Sequence, residues 1–511
     1  MKKTSMLLLM LFVASAAAFA QNLALENVQR ATLRNSDAIR EGSEVKGYYF
    51  YYESDRIDKR TREFTLRITD NNLATLKDIK FQDTKDTRVL ESSFNGTDLI
   101  FLIFHEKERN FEYQVYGADG KKKFNYNREL SKKEIKYLEL TYLADEEDTY
   151  KGLYPIDGIG FISNMPSRED KDYTFQVDFF GTDKKKQWTY IPTDGGKKNM
   201  GDYLGTHNGV VYMGVLEYNS NLDQKPDSYI IGLDMATGRQ LFKKPTDNGK
   251  YRFYPSSMNV VGGKPYIFGE YFNLNANVIK DKSSGFMFLG IDEKGKLTSE
   301  KFNSWDLELG KFLDVSAKGR IADFGYMYVH QIIQVANGDV YAIGEGWKKA
   351  ASGLGIAAQA IGAGGVAAIK IKVTDMIVIQ FDKDFNVKGA KVYAKRDNSI
   401  ELPQGAGLAA GPALAKFIKY NYGGFDYVYS QVNKDRTSFA VCYADWVKEK
   451  DYKGATFNAI SYNDGKFSQD MIPTKSKATS SQVLPAEQGK VLILEYFKKE
   501  KRLSAHFEKL N

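Results

Sequence analysis

The stretch Ile231-Gly-Leu-Asp-Met-Ala-Thr-Gly-Arg-Gln-Leu-Phe242 contains the pattern that decides the fold. An apolar, strand-forming run ends in Asp234, a short turn follows, and a more polar run begins a second strand. Six other stretches repeat this pattern with Asp or Asn at the turn: Phe64–Asp70, Tyr113–Gly120, Phe175–Asp183, Phe286–Asp292, Met376–Asp382 and Phe457–Asp464. A strand-turn-strand unit that recurs along a chain indicates a repeat architecture.

A second apolar run precedes each copy of the pattern. These runs are Gly47–Tyr52, Leu99–Phe104, Gly158–Ile162, Val210–Leu216, Tyr266–Gly269, Val340–Gly344 and Phe439–Tyr443, and Val491–Phe497 with Leu503–Phe507 forms an eighth copy. Continuous apolar runs predict strands covered on both faces, whereas the polar return strands are typical of half-exposed positions. The turn aspartates from Asp70 to Asp292 follow one another at intervals of 49, 64, 51 and 58 residues, and an interval of 90 then leads to Asp382. These intervals predict four-stranded propeller blades, with an insertion in the long one.

The sequence therefore predicts an all-β fold, a β-propeller of seven or eight four-stranded blades, with eight favoured. The final unit lacks an outermost strand, and we expect Ala24–Leu33 to supply it and to close the ring by pairing the two ends of the chain. Stacked β-sandwiches are the alternative, because alternating short strands do not by themselves distinguish the two folds. The best helix candidate follows Ser131, which has capping-box spacing to Glu134.

The segment Ile231–Phe242 resembles the repeat of quinoprotein-type β-propellers, in which an apolar strand ends in Asp and a Thr-Gly turn leads to a strand with a bulky aromatic residue. The resemblance covers about a dozen residues and implies propeller geometry. It does not imply quinone chemistry, because the adjacent cysteines of some quinoprotein dehydrogenases cannot occur in a chain with one cysteine. The layout as a whole is similar to that of exported repeat proteins of Gram-negative envelopes.

The first twenty residues indicate export. Lys2 and Lys3 precede the apolar run Met6–Val13, and Ala18-Phe-Ala20 has the form of a cleavage site, so residues 1–20 are predicted to be a signal peptide and 21–511 a single β-propeller domain. No cysteine follows the cleavage site, and we therefore expect a periplasmic, outer-surface or secreted protein that is not a lipoprotein. The single Cys442 lies in an apolar run and predicts no disulfide, within the chain or to a partner.

Two uncharged stretches rich in Gly and Ala, residues 350–369 and 402–415, interrupt the repeat pattern. Antiparallel strand order would place both connections on one face of the propeller. Exposed apolar patches usually mark contact sites, so this face is a candidate surface for an envelope protein partner or a membrane. Its candidate contact residues are Leu354, Ile356, Ile361, Val366, Leu408 and Leu414. The alternative is that the two stretches pack against each other as a local subdomain or plug.

Motifs for catalysis, metals and cofactors are lacking in the sequence. The four histidines are far apart, no Gly-x-Ser-x-Gly elbow occurs, and Asp382-Lys-Asp-Phe-Asn386 opens like a calcium loop but is followed by Tyr393 where the last ligand would stand. We interpret Asp382–Asn386 as a hairpin turn and predict no cofactor and no metal. A formal net charge of +7, or +5 without Lys2 and Lys3, does not indicate nucleic-acid binding.

Tyr328 and His330 are candidates for a role in the propeller channel, because their spacing of two puts both on one face of a strand. Packing in the core is the competing interpretation. The most consistent function is that of an exported binding protein whose contact face carries the two Gly/Ala-rich stretches. The alternative is an enzyme that acts on an extracellular glycan through channel carboxylates, a reaction that needs two carboxylates several ångströms apart.

Overall fold

The structure of the protein is a computed structural model. It describes residues 22–139, 143, 151–169, 172–183, 187–192, 197–220, 223, 225–360, 365–403, 409–448, 452–487 and 489–510. The predicted signal peptide, residues 1–20, lies outside the described residues. The fold is all-β, a β-propeller of eight antiparallel blades, each built on four strands, so the prediction of eight blades is confirmed.

The chain divides into two compact units. Unit one comprises Met1–Thr87, Gly117–Lys121 and Ser476–Asn511, and it contains blades 1 and 8. Blade 1 consists of β2 (Arg30–Ala31), β3 (Asp37–Glu41), β4 (Glu44–Asp55), β5 (Thr61–Asp70) and β6 (Thr75–Thr84). Both β2 and β3 pair with β4, so they form one first strand interrupted by the 3-10 helix Leu33–Asn35. Blade 8 consists of β32 (Ser480–Pro485), β33 (Lys490–Phe497), β34 (Arg502–Lys509) and β1 (Asn22–Leu25).

Blade 8 is completed by the N-terminal strand, as the sequence predicts. β1 pairs antiparallel with β34, from Asn22 opposite His506 to Leu25 opposite Leu503. The pairing segment begins two residues earlier than predicted and ends at Leu25, because Arg30–Ala31 joins blade 1 instead. Val28 and Leu33 are buried where the chain passes from one blade to the other, in an apolar cluster that both blades share. β1 therefore ends at Leu25, because the chain then passes through this buried cluster to reach blade 1.

Unit two comprises Arg88–Tyr116 and Lys122–Lys475 and contains blades 2 to 7. Blade 2 consists of β7 (Thr87–Phe94), β8 (Asp98–His105), β9 (Asn110–Gly117) and β10 (Lys122–Glu129). Blade 3 consists of β11 (Leu153–Ile156), β12 (Gly160–Glu169), β13 (Asp172–Gly181) and β14 (Gln187–Tyr190). Blade 4 consists of β15 (Lys198–His207), β16 (Val210–Tyr218), β17 (Asp227–Asp234) and β18 (Gln240–Pro245).

Blades 5, 6 and 7 continue the same order. Blade 5 consists of β19 (Tyr251–Val261), β20 (Lys264–Asn273), β21 (Gly285–Ile291) and β22 (Leu297–Ser304). Blade 6 consists of β23 (Tyr326–Gln334), β24 (Val340–Ala351), β25 (Val366–Phe381), β26 (Val387–Tyr393) and the additional β27 (Asn398–Pro403). Blade 7 consists of β28 (Tyr427–Val432), β29 (Ser438–Lys448), β30 (Lys453–Asn463) and β31 (Lys466–Pro473). Neighbouring blades within unit two share apolar clusters. The long interval before Asp382 is thus explained by the enlarged blade 6.

The repeated turn aspartates hold the hairpins between the third and fourth strands. Asp234 Oδ1 accepts the backbone N–H groups of Ala236 and Thr237 at 3.0 and 2.8 Å. Asp382 Oδ1 accepts those of Asp384 and Asn386 at 2.9 and 2.8 Å. Short carboxylate side chains favour turns because they satisfy backbone donors locally. The interpretation of Asp382–Asn386 as a hairpin turn is confirmed.

Three helices interrupt the strands in the described parts of the chain: α1 (Lys132–Glu139), α2 (Gly353–Ala360) and α3 (Gly411–Tyr422), with the 3-10 helix Leu309–Lys311 in addition. Ser131 Oγ accepts the Glu134 N–H at 3.1 Å, which confirms the predicted helix start. The Glu134 carboxylate does not complete the capping box, because it bonds Arg128 and Ser167. Among the described residues, no helix is long and apolar enough to cross a membrane.

Candidate functional site

Blade 6 carries an elaboration that the other blades lack in the described structure. Beyond Trp347, β24 continues through Lys348–Ala351 and pairs with residues 369–372 of β25, which forms a two-stranded arm. α2 lies at the end of this arm, β27 pairs with its edge at Lys370–Val373, and α3 packs on its face. We call the described residues among 348–373 and 398–425 the cap.

The cap has an apolar core of its own. It is formed by Ala367, Ile371, Val373, Leu402, Leu414, Ala415, Ile418 and Phe425, all of them buried, together with the buried Trp347 of β24, which directly precedes the cap. Ala367 belongs to the first Gly/Ala-rich stretch and Leu414 to the second, so the predicted meeting of the two stretches is confirmed. The first stretch also packs closely on itself, since a Cβ at Gly355 would overlap the carbonyl oxygen of Ala367. The two stretches were expected to be loops, but the structure shows strands and helices.

The end of the cap exposes two large apolar side chains. Leu354 is 62% exposed and Ile356 is 51% exposed, both on α2, which contains no charged residue. Val366 is partly buried at the start of β25. Leu414 is fully buried against the arm, and the prediction that it is a contact residue is corrected accordingly. The predicted contact residues Ile361 and Leu408 lie outside the described residues.

Hydrogen bonds hold the arm and α2 in place. Ser352 Oγ accepts the Gly355 N–H at 2.9 Å and donates to Glu401 Oε2 of β27 at 2.5 Å. On the arm, Lys349 Nζ donates to the Ala409 carbonyl at 2.8 Å. A helix start satisfied by a serine is stabilised by about 1 kcal/mol. These hydrogen bonds therefore hold the exposed end of the cap in a defined position.

The opposite side of α3 contacts the first strands of three successive blades. Lys416 Nζ lies 2.6 Å from Asp202 Oδ2 on β15 of blade 4, and 5.7 Å from the ring centre of Tyr254 on β19 of blade 5. Lys419 Nζ lies 5.1 Å from the ring centre of Tyr328 on β23 of blade 6. Burial and the nearby charges of Lys151 and Lys416 lower the pKa of Lys419 to about 8. α3 thus covers the inner side of this part of unit two.

Tyr328 and His330 lie beneath α3 on the first strand of blade 6. Their rings are 5.0 Å apart, which confirms that they share a face. The His330 side chain is 1% exposed, it stacks on Tyr427 at 4.5 Å, and its Nε2 donates to Glu345 Oε2 at 3.2 Å. Burial, with the charges of Lys419 and Lys395, lowers the pKa of His330 well below its usual value. Both rings pack against Phe425, and Tyr328 also lies against Lys419 of α3, which favours packing over a role in the channel.

A buried ion network that the sequence analysis missed lies next to His330. Lys395 Nζ is 3.1 Å from Glu345 Oε1 and 2.5 Å from Asp426 Oδ2. The Glu345 carboxylate also accepts the N–H groups of Asp426 and Tyr427, at 3.0 and 3.1 Å. Burial raises the pKa of Asp426 to about 6, although Lys395 opposes this shift. The network joins blade 6 to the start of blade 7, and its carboxylates are occupied by structural partners.

Glu345 is one member of a recurring set. Five second strands bury a glutamate: Glu53, Glu217, Glu270, Glu345 and Glu495. Arg62 pairs with Glu53, Lys197 and Lys243 pair with Glu217, and Lys395 pairs with Glu345. A single acidic residue within an apolar run was the signal available in the sequence. Among the described residues, Glu270 has no cation partner and accepts only the Ser283 hydroxyl, at 2.5 Å.

Within the described ranges, no three His, Cys, Asp or Glu side chains are grouped so that they could hold a metal ion. Cys442 is buried, and burial raises the pKa of its thiol to about 12. A thiol with so high a pKa is not activated as a nucleophile at neutral pH.

Solved structures similar to the chain share little sequence with it. Prolyl oligopeptidase B from Galerina marginata is 9% identical with a TM-score of 0.37, and the match covers 91% of this chain and 56% of that one. An oligogalacturonate lyase in complex with manganese is 8% identical with a TM-score of 0.37, covering 92% and 98%. A post-proline cleaving enzyme from Rickettsia typhi is 10% identical with a TM-score of 0.40, covering 90% and 57%. This chain therefore spans little more than half the length of the two peptidases.

No curated protein matches the chain. A family model matches it over its whole length, residues 1–511, and that model describes a family of unknown function. The match shows that the protein belongs to the family of unknown function DUF6770.

Proposed function

We propose that the protein is an exported binding protein whose contact surface is the end of the cap. The observation that carries the proposal is the exposure of Leu354 and Ile356 on an uncharged helix that a bonded arm holds away from the blade. Positions two apart lie on different sides of a helix, so the end of the cap is apolar on more than one side. The apolar end of the cap is therefore suited to insertion into an apolar pocket of a partner protein.

A protein partner accounts for this surface better than a membrane does. Three of the four lysines of the arm are engaged within the protein: Lys348 Nζ with the Asp323 carbonyl, Lys349 Nζ with the Ala409 carbonyl, and Lys372 with Asp397. Binding at a membrane surface depends on basic groups that are available to anionic lipids. Covering the exposed half of each apolar side chain contributes about 1 kcal/mol, so the pair supplies roughly a 30-fold gain in affinity.

The test is site-specific photocrosslinking in intact cells of the source organism. A photoreactive residue replaces Leu354 in one variant and Leu307 in the control; Leu307 is 66% exposed and lies outside the cap. We expect a discrete protein adduct from position 354 only, reduced at least tenfold when Ile356→Lys is added. Equal adducts from both positions would refute the proposal, and an adduct to lipid alone would replace the protein partner by a membrane.

The alternative, a glycan-degrading enzyme that uses channel carboxylates, has less support. Three carboxylates near α3 are held in ion pairs, Asp202 with Lys416, and Glu345 and Asp426 with Lys395. Glu270, which lines a pocket at the start of α3, has no cation partner among the described residues, but it is a single carboxyl group. A pair that acts as acid and base needs one carboxyl free to exchange its proton. Turnover or a thermal shift with any member of a polysaccharide panel would favour the enzyme.

A further inference from the structure

A small pocket lies between blades 5 and 6 at the start of α3. The residues that line it include Glu270, Lys282, Lys318, Tyr326, Trp347 and Gly411. Its space accommodates about one water molecule or an ion of similar size. The lining combines two lysines, one carboxyl group, three aromatic side chains and the first residue of a helix. Its lysines and carboxyl group are not joined in a salt bridge, unlike the charged groups of the buried network around Lys395.

Trp347, one of the residues that line this pocket, carries an unsatisfied donor. Its side chain is buried, and its indole Nε1 has no hydrogen-bond partner in the described structure. The indole N–H can donate but not accept, and a buried donor without an acceptor costs about 1–3 kcal/mol. An acceptor in the pocket would relieve this cost.

The start of α3 adds further donors. Gly411 is its first residue, and the preceding Ala410 provides no side-chain cap. The first N–H groups of a helix lack partners within the helix, and they carry a partial positive charge that favours anions. Pro412, the second residue of α3, has no N–H, so the donors at this end are those of Gly411 and Ala413. Gly411 has a φ of 53°, which glycine adopts without strain, and the helix can therefore begin directly at the pocket wall.

The charges around the pocket favour an anion once Glu270 is neutral. Lys282 Nζ lies 5.0 Å from the ring centre of Tyr326, so one ammonium group is near the lining. Burial raises the pKa of Glu270 to about 7, and the groups that surround it are Ser283, Tyr254, Tyr326, Lys282 and Lys318. A protonated carboxyl group can donate a hydrogen bond to an anion, whereas the ionised form would repel it.

We propose that this pocket binds a small monovalent anion of about the size of a water molecule, a halide such as chloride. The Trp347 indole, the start of α3 and the lysines supply the positive side of the site. Glu270 takes part as a neutral acid, so binding weakens as the pH rises through 7. The site is distinct from the exposed end of the cap and does not depend on the function proposed for it.

The test is anion titration of the full chain in a halide-free buffer. Broadening of the ³⁵Cl resonance measures chloride binding, and displacement by acetate or bromide measures the competing anions. The main variant is Trp347→Phe, which removes the indole N–H but keeps an aromatic ring, and Trp446→Phe is its control in blade 7. Lys282→Met, at an exposed position, tests the same site if Trp347→Phe does not fold.

We expect saturable binding that is at least tenfold weaker in Trp347→Phe and in Lys282→Met and unchanged in Trp446→Phe. In the wild type, the affinity should fall at least tenfold between pH 6 and pH 8, and Glu270→Gln should remove most of this dependence. Stronger binding of acetate than of chloride would contradict a site of this size for a halide. Absence of saturable binding of every anion tested, or equal binding by Trp347→Phe and the wild type, would overturn the proposal.

Discussion

Blades 5 and 6 each bury a glutamate at the same place in the blade, but among the described residues only the glutamate of blade 6 has a cation partner. Glu270 lies opposite Tyr254 of its blade's first strand, and Glu345 lies opposite Tyr328. Glu345 is 0% exposed and has Lys395, His330 and two backbone N–H groups as partners. Glu270 is 9% exposed and has the Ser283 hydroxyl.

The difference shows what a cation does for a buried carboxyl group. Burial raises the pKa of both glutamates, but at Glu345 the charge of Lys395 and several hydrogen bonds oppose that rise. Taking an ion from water costs several kcal/mol unless partners compensate. We infer that Glu345 joins two blades as an ion pair, whereas Glu270 is a neutral acid beside an open pocket until the pH approaches 7.

The largest effect is expected for Lys395→Met, which would leave Glu345 and Asp426 buried without their cation. Breaking one side of a buried pair costs about 3–5 kcal/mol. Denaturant unfolding at pH 7 should show this loss in the free energy of unfolding. The control is Lys388→Met, whose salt bridge to Asp339 is 46% exposed on the lysine side and is worth less than about 1 kcal/mol. Equal losses in the two variants would show that the network does not stabilise the fold.

A slightly smaller loss in the free energy of unfolding is expected for Leu414→Ala, which removes a buried side chain of α3. This helix lies between the two glutamate sites. Leu414 packs in the same cluster as Trp347, which lines the pocket beside Glu270. Truncation of a buried leucine costs about 2–5 kcal/mol. The exposed Leu354 is the matched control, and Leu354→Ala should change the free energy of unfolding by no more than about 0.5 kcal/mol. Similar values for both leucines would contradict the burial of Leu414.

Glu270→Gln should change how stability depends on pH. The pKa of Glu270 in the folded protein, about 7, exceeds its ordinary value of 4.5, so the folded state binds the proton more tightly. The corresponding stabilisation is complete below pH 4.5 and is lost as the pH rises to 7, a change of about 3 kcal/mol. Halide-free unfolding at pH 5 and pH 8 should show this loss in the wild type and not in Glu270→Gln. The same pH dependence in both proteins would assign it to another group.

The smallest effect is expected for Ser283→Ala. Ser283 Oγ donates to Glu270 and accepts the Trp305 indole N–H at 3.2 Å. The net contribution of such a bond is about 1 kcal/mol. Thermal unfolding should detect a loss of this size, well below that of Lys395→Met. A loss as large as that of Lys395→Met would mean that Glu270 depends on its single partner as strongly as Glu345 depends on its cation.

The repeat pattern was sufficient to predict the blades, because the turn aspartates act on neighbouring residues. Asp234 and Asp382 bond backbone groups no more than four positions away, and local contacts of this kind are visible in sequence. The N-terminal strand was also predictable, since the last copy lacked a fourth strand. The point where it ends was not, because it depends on the burial of Val28 and Leu33.

The cap and the ion network show where sequence reasoning fails. Gly and Ala content predicted exposed loops, but Leu414 is buried because α3 packs on an arm that is distant in sequence. Glu345 was visible as one acid in an apolar run, yet its backbone partner Asp426 is 81 residues away. Contacts over such separations are fixed by the arrangement of blades, and one sequence does not specify the partner.

The most direct test of the contrast between Glu270 and Glu345 is proton uptake on anion binding. Chloride is titrated into weakly buffered, halide-free protein at pH 7, and the protons taken up for each anion bound are measured. With a pKa near 7, Glu270 in the wild type should take up about half a proton for each anion, and Glu270→Gln should take up none. Equal uptake by the two proteins, or none by the wild type despite binding, would contradict the account.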